Sequence, residues 1–340
     1  MTHLVGGHSV NSSHIVVISD SFQSLPEAVA TLATSRHEVT YVPALTPWAQ
    51  LKPIHQRALA EARAVVMGRV LGIDAAALAL APRLRIVALH TSGCDNVDID
   101  AASRRGVLVT NVKGVNAEQC AEFAMGLMLC VVRKILRGDQ AIRSGEWASR
   151  TQSSMDVYGA TMGVIGLGQI AKAFSKRARA FGMHVLVHTR TEDPNFARQH
   201  GIEYAPLDEV LQRADVVGLF ASLDRSSRRM IGAREFQLMK PSAYFINIAR
   251  GELIDEAALI DALRAGKIAG AGLDVFDDEP VTMSPLFALE NVVLTPHQAG
   301  LTHGGKTGAA VRAARNALQA LDGTLPRDAV NPTAWEASRP

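Results

Sequence analysis

Two doubly wound α/β domains, each built on a parallel sheet, are the fold this sequence predicts. Three observations carry the prediction. The chain has 340 residues, enough for two domains at about 100–200 residues each. Short apolar runs alternate with stretches of helical spacing along most of its length, as strand–helix–strand crossovers require. A glycine turn, Gly166-x-Gly168-x-x-Ala171, joins a strand-like run to an amphipathic stretch.

The first alternating block begins near residue 14. "HIVVIS", "AVVMG" (64–68) and "LRIVALH" (84–90) are strand-like, and "LPEAVATLA" has helical spacing. The stretch "NAEQCAEFAMGLMLCVVRKI" (116–135) predicts one long helix, apolar around most of its circumference from Phe123 to Val132. Such a helix is buried, either in a core or at a junction between domains or subunits. A second block starts near 160, with strand-like "TMGVIG", "MHVLV", "ADVVGLF", "SAYFINI" and "GAGLDV". In "EAALIDAL", Leu259, Ile260 and Leu263 share a face. Val311, Ala314, Leu318 and Leu321 share one near the C-terminus, and that helix is expected to pack back on the first block.

Composition narrows the function classes. Hydrophobic residues make up 48% of the chain, and its net charge is +2 with no long basic block. Aromatic residues are only 5%. Neither a nucleic-acid surface nor a base-stacking platform fits that balance. The three cysteines, Cys94, Cys120 and Cys130, form no C-x-x-C pair. No metal site is expected, and the count suits a reducing cytoplasm better than a disulfide framework. The longest apolar run, 123–132, falls short of the ~20 residues that span a bilayer. "MTHLVGGHSVNSSH" lacks the charged start and apolar core of a secretory signal and is read as a loose tail.

The glycine turn points to a dinucleotide. Gly166 permits a tight turn, Gly168 lets backbone approach a pyrophosphate, and Ala171 lets the helix sit close to the sheet. Gln169 and Ile170 open that helix, whose N-terminal N–H groups favour an anion. Ile170, Phe174, Ala178 and Phe181 form its apolar stripe, and Gly182 ends it. An NAD site places Asp or Glu about 20 residues on, at the end of the next strand. Here that place reads His188-Thr189-Arg190-Thr191. Arg190, helped by the Thr189 hydroxyl, suits a 2′-phosphate, so NADP(H) is favoured and NAD(H) is the alternative. The bland reading of Arg190 is a solvent-facing loop arginine.

"GVIGLGQIA", "FINIARGELIDEAAL", "AGAGLDVFDDEP" and "NVVLTPHQAG", in this order, resemble the D-isomer-specific 2-hydroxyacid dehydrogenase family. Upstream, "SGCDNVDIDAASRRGVLVTNV" and "AEFAMGLML" match the family's N-terminal pattern. The resemblance runs from about residue 60 to 325. It implies a Rossmann dinucleotide-binding domain and a flavodoxin-like substrate domain. It implies Arg250, Glu279 and His297 as the catalytic trio and Asp274 as a contact of the nicotinamide carboxamide. It further implies that backbone N–H groups at Ser92, Gly93 and Cys94 hold the substrate carboxylate. The chemistry suits those residue types. Histidine titrates nearest neutrality and serves as proton donor to a carbonyl oxygen. A carboxylate fixes the ring and favours its charged form. An arginine fork matches a carboxylate. Asp277 and Asp278 are expected to be solvated loop charges.

Two features depart from the family or vary within it. Ser222 stands where the family usually carries a proline after "DVVGLF". "MGRVLG" (67–72) occupies the loop that sets substrate specificity, where Arg69 reads a second anionic group or is an exposed loop arginine. His303 is expected to be structural. The resemblance places the substrate domain at residues 1–113 and 303–340 and the dinucleotide domain at 114–302, with the active site in the cleft between them. It implies a cytoplasmic homodimer acting with NAD(P)H on a short 2-keto acid such as glyoxylate or hydroxypyruvate. The competing reading is a dinucleotide-sensing protein or corepressor of the same fold with little turnover.

Overall fold

The computed structural model describes residues 12–44, 46–69, 71–147 and 153–337. Most of the tail at 1–14, and Val70 within 67–72, lie outside the described residues. Contacts divide the chain between Asn116 and Ala117 and again between Thr302 and His303, giving one unit from the two ends and one from the middle.

The unit formed by the ends carries β1 (His14–Ile18), β2 (Glu38–Val42), β3 (Ala62–Met67), β4 (Ile86–Leu89) and β5 (Leu108–Thr110). They pair in the order β2-β1-β3-β4-β5, all parallel. Ile15 and Val17 feed one core while Val16 and Ile18 feed the other. A strand buried on both faces therefore reads as the continuous apolar run seen in the sequence. Helices Pro53–Glu61, Ala75–Ala79 and Ile99–Arg104 cover one face, and Pro26–Ala33 and His303–Leu321 cover the other. Helix His303–Leu321 does pack on the first block, but not on the face expected. Its buried side is Ala310, Ala313, Ala314, Ala317 and Ala320, while Val311, Leu318 and Leu321 are only partly covered. Alanines let the helix backbone close on the sheet, which pushes the longer side chains to its flanks.

The middle unit carries β6 (Thr161–Ile165), β7 (His184–His188), β8 (Ile202–Tyr204), β9 (Val216–Leu219), β10 (Tyr244–Asn247), β11 (Gly270–Leu273) and β12 (Val292–Leu294). The order is β12-β11-β10-β9-β6-β7-β8, again parallel. The chain winds outward from β6 to β8, then restarts beside β6 at β9. That reversal leaves a crevice at the carboxyl ends of β6 and β9, where doubly wound sheets take their ligands.

The long helix expected over 116–135 stops at Val132, and a second one runs Ile135–Arg143. Lys134 adopts a left-handed conformation (φ 53°) between them. The Lys134 ammonium donates to the Ser153 carbonyl (2.8 Å) and Arg133 Nε to the Ser154 hydroxyl (3.0 Å). These tertiary bonds fix the break, and nothing local to the sequence signals it. The first of the two helices is a core helix of this unit: Cys120, Ala124, Leu127, Met128 and Val131 are buried against the sheet and against helix Gln169–Ala180. In that neighbouring helix, Phe174 and Ala178 are buried as expected. Phe181 instead sits past the helix end and is 44% exposed. Leu259, Ile260 and Leu263 of helix Glu256–Arg264 are buried together.

Candidate active site

Strand register gathers three of the predicted residues at one edge of the seven-stranded sheet. Asn247 pairs with Leu273, and Leu273 with Leu294, so β10, β11 and β12 end level. Arg250, Asp274 and His297 follow within three residues of those ends, on strands spaced about 4.8 Å apart.

His297 and Glu279 are joined directly. The imidazole Nδ1 lies 2.8 Å from Glu279 Oε2 and 3.1 Å from Oε1. Glu279 Oε1 also accepts from the Phe276 N–H (3.1 Å), which ties the carboxylate to its own loop. Both side chains are partly exposed, at 30% and 24%. With Nδ1 committed to the carboxylate, Nε2 is the ring atom from which a proton would be transferred. Asp277 and Asp278 in the same loop are exposed.

Asp274 does more than sequence reasoning assigned to it. It is fully buried. Its Oδ1 accepts from the Thr295 hydroxyl (2.6 Å) and the Gln298 N–H (2.9 Å), and its Oδ2 from the Ala299 N–H (2.9 Å). These donors bracket His297, whose φ of 49° lies in the left-handed region. The carboxylate therefore braces the turn that presents the imidazole. No local signal reveals this, since the partners lie 21 to 25 residues away in sequence.

Arg250 is placed by its neighbours. Buried Asn247 donates to the Arg250 carbonyl (2.9 Å) and accepts from the Ala249 N–H (3.0 Å). Arg250 Nη1 bonds the Ala249 carbonyl (2.6 Å). Gly251 then lets this loop rest on the loop carrying Glu279: a Cβ there would sit 1.9 Å from the Phe276 carbonyl carbon. Sequence reasoning passed over that glycine, although "ARGE" just after a strand marks it. Arg250 and Asp274 both act on the thiol of Cys120. Burial and the Asp274 charge push it up to about 11, while Arg250 pulls the other way.

The glycine turn fits a dinucleotide pyrophosphate. Gly166 has φ 89°, and a Cβ there would meet the Ala221 backbone at 2.7 Å. A Cβ at Gly168 would project into open space. Helix Gln169–Ala180 starts with no side-chain cap, so its first N–H groups are left to an anion. Ala171 is fully buried beneath the turn and Ile170 partly so. Thr189 and Arg190 follow β7 directly. Arg190 Nη1 lies 2.8 Å from Asp224 Oδ2, a partner the sequence did not suggest. Hydrogen bonds from Ser226 first, then from Arg190, hold the Asp224 carboxyl well below the usual carboxylate range. Its loop begins at Ser222, whose carbonyl accepts from the Ser227 hydroxyl (2.8 Å).

The remaining predicted residues belong to the other unit. Ser92 and Gly93 follow β4. Their turn is held by its carbonyls: Asn111 Nδ2 donates to Ser92 (2.8 Å) and the Thr91 hydroxyl to Gly93 (2.9 Å). Among the described residues, the Ser92 and Gly93 N–H groups have no acceptor. Arg69 is exposed two residues past β3, and His303 opens the long C-terminal helix.

Comparison with known proteins identifies the family. Residues 125–299 match the family described as D-isomer specific 2-hydroxyacid dehydrogenase, NAD binding domain. A glyoxylate reductase from Thermococcus onnurineus (strain NA1) is 42% identical over 275 residues, covering 79% of this chain and 82% of the relative. The crystal structure of a glyoxylate reductase from Paecilomyes thermophila is similar with TM-score 0.83 at 29% identity, covering 94% of this chain and 98% of that one. An NADPH-dependent glyoxylate/hydroxypyruvate reductase from Sinorhizobium meliloti, solved with NADP and malonate, gives TM-score 0.82 at 28% identity, covering 95% and 98%. Among the described residues, no helix is long and apolar enough to cross a membrane.

The brace makes a measurable prediction. Asp274→Asn turns one acceptor into an N–H₂ group facing a donor, leaving a buried group unsatisfied. Stability should fall by about 1–3 kcal/mol, read by urea titration of the middle unit's transition. Hydrogen exchange at the Gln298 and Ala299 amides should quicken at the same time. Unchanged exchange at both amides would remove the brace.

Proposed function

Because this chain belongs to the D-isomer-specific 2-hydroxyacid dehydrogenase family, we propose that it reduces a short 2-keto acid, glyoxylate or hydroxypyruvate, to the corresponding D-2-hydroxy acid. The observation that carries the reading is the 2.8 Å contact between His297 Nδ1 and Glu279, on the sheet edge that also bears Arg250. A dinucleotide sensor without turnover is not favoured, since the relatives reported above are named as reductases.

A bound nicotinamide dinucleotide supplies hydride to the substrate's carbonyl carbon. The protein's own groups do the rest. Arg250 takes the substrate carboxylate in its guanidinium fork and polarises the neighbouring carbonyl. The Ser92 and Gly93 N–H groups are proposed as backbone donors to a substrate carboxylate. His297 donates its Nε2 proton to the carbonyl oxygen as charge develops there. Glu279, bonded to Nδ1, orients the ring for that transfer. Asp274 holds the His297 turn.

We assign NADP(H) as the preferred cofactor. Arg190 and Thr189 stand where an NAD site carries an acid, and the Sinorhizobium meliloti relative was solved with NADP. Arg69 is the candidate reader of a second anionic group on the substrate. A homodimer is the proposed assembly. The helix at 117–132 is core, so the face proposed for the dimer is on the helix after it, where Ile135, Leu136 and Ile142 are each half exposed or more. The proposed site of action is the cytoplasm.

Three experiments test these assignments. His297→Ala should lower kcat by about 10²–10⁴-fold with the dissociation constant for NADPH nearly unchanged; equal loss of cofactor binding would contradict the proton-donor role. Arg190→Ala should weaken NADPH about tenfold or more and leave NADH almost unaffected, read by fluorescence titration. A similar loss for both would sink the phosphate contact. Ile135→Asp with Ile142→Asp should shift the sedimentation coefficient from dimer to monomer, whereas an unmoved dimer would place the interface elsewhere.

A further inference from the structure

The amino-terminal edge of the five-stranded sheet holds a cluster of cations that the reaction does not use. A pocket of about 520 Å³ is lined there by Ser12, Ser13, His14, Arg63, Arg83 and Arg85, with Glu38 and Glu61 on its wall. The backbone is built irregularly at this point. His14 pairs with Ala62 and Ile15 with Ala64, so Arg63 is the extra residue of a β-bulge in β3. Bulges re-aim a side chain out of the ladder, and this one delivers a guanidinium to the sheet edge.

The charges here are poorly matched. Among the described residues, no carboxylate lies within ion-pair distance of Arg63, Arg83 or Arg85. The nearby Arg36 is paired with Asp322 (3.1 Å), and the carboxylate of Glu38 lies 3.7 Å from His14. Burial, and the Arg85 cation beside it, push the Arg63 guanidinium below its usual value. Burial also lowers buried His37, with Arg36 and Arg63 contributing in the same direction and Asp322 opposing. Folding therefore brings together positive groups that repel one another. An anion would relieve that repulsion.

We propose that this pocket binds a small phosphate monoester with a hydroxyl-bearing body. Two adjacent guanidiniums match the near −2 charge and the oxygen geometry of a phosphate group. The volume exceeds what a bare phosphate fills and lies in the usual range for small-ligand sites. Glu38 and Glu61 are acceptors for ligand hydroxyls and disfavour a second anionic group. The site is distinct from the substrate contacts of the same unit. Arg69 and Ser92 follow the carboxyl ends of β3 and β4, about 20 Å away at ~3.3 Å per strand residue.

The test uses the full chain and calorimetric titration with ribose 5-phosphate, inorganic phosphate and ribose. Ribose 5-phosphate should bind, inorganic phosphate should compete, and ribose should not bind. Arg63→Gln and Arg85→Gln should each weaken ribose 5-phosphate about tenfold or more, with KM for glyoxylate unchanged. Without ligand, both variants should melt at or above the wild-type temperature, because a like-charge contact is removed. Three results would overturn the site: binding no tighter than that of chloride at equal ionic strength, binding indifferent to both substitutions, or a lower melting temperature of both ligand-free variants, which would make the guanidiniums structural.

Discussion

The buried carboxylate of Asp274 is the interaction on which the reactive edge depends. A charge with no exposure is costly unless donors surround it, and here a hydroxyl and two backbone N–H groups do so. All three come from the segment after β12. His297, inside that segment, has a left-handed backbone (φ 49°), which costs roughly 1–2 kcal/mol for a residue with a Cβ. Hydrogen bonds to a charged acceptor contribute about 1.5–3 kcal/mol each. The brace thus exceeds the strain it holds. The imidazole can meet Glu279 because a different carboxylate, one strand over, pins its backbone.

Close approach of backbones is the second constraint, and glycine is its means. The Arg250 loop lies so near the Phe276 carbonyl that position 251 has no room for a Cβ, and the Gly166 turn lies less close to Ala221 but still too close for one (2.7 Å against 1.9 Å). The two contacts have different consequences. Gly166 seats the phosphate-facing turn in the crevice beside β9. Gly251 sets the guanidinium loop directly on the loop that carries the acid. Level strand ends bring these loops to one edge, and the absent Cβ atoms let them touch.

How much of this was legible follows from what each signal reports. Strands buried on both faces, such as β1, β6 and β10, stand out as apolar runs because burial writes itself into composition. The edge strand β2, with only Val42 buried, and the three-residue strands β5, β8 and β12 carry too little pattern to find. Arg250, Glu279 and His297 were named through motif resemblance, and periodicity alone marks none of them. What holds them stayed hidden. Asp274 meets Ala299 across 25 residues and Arg190 meets Asp224 across 34. Such pairs exist only once the parallel register has formed. The break at Lys134 is hidden in the same way, since its partners lie at 153 and 154.

The Arg190–Asp224 pair bears on the proposed choice of cofactor. Both side chains are well exposed, at 69% and 39%, so water screens their attraction and the pair is weak. A 2′-phosphate, with more charge and three oxygens, competes well for the same guanidinium. Asp224 would not leave with it. Ser226 and Ser227 donate to its Oδ1 at 2.6–3.0 Å and keep the carboxylate in place. It stays ionised throughout the neutral range, because those bonds and Arg190 favour the charged form. Arg190 would then bridge two anions, phosphate on one side and carboxylate on the other. The net preference is the phosphate's gain at Arg190 less its repulsion from Asp224. A neutral residue at 224 should therefore strengthen NADPH relative to NADH, opposite in sign to removing the arginine.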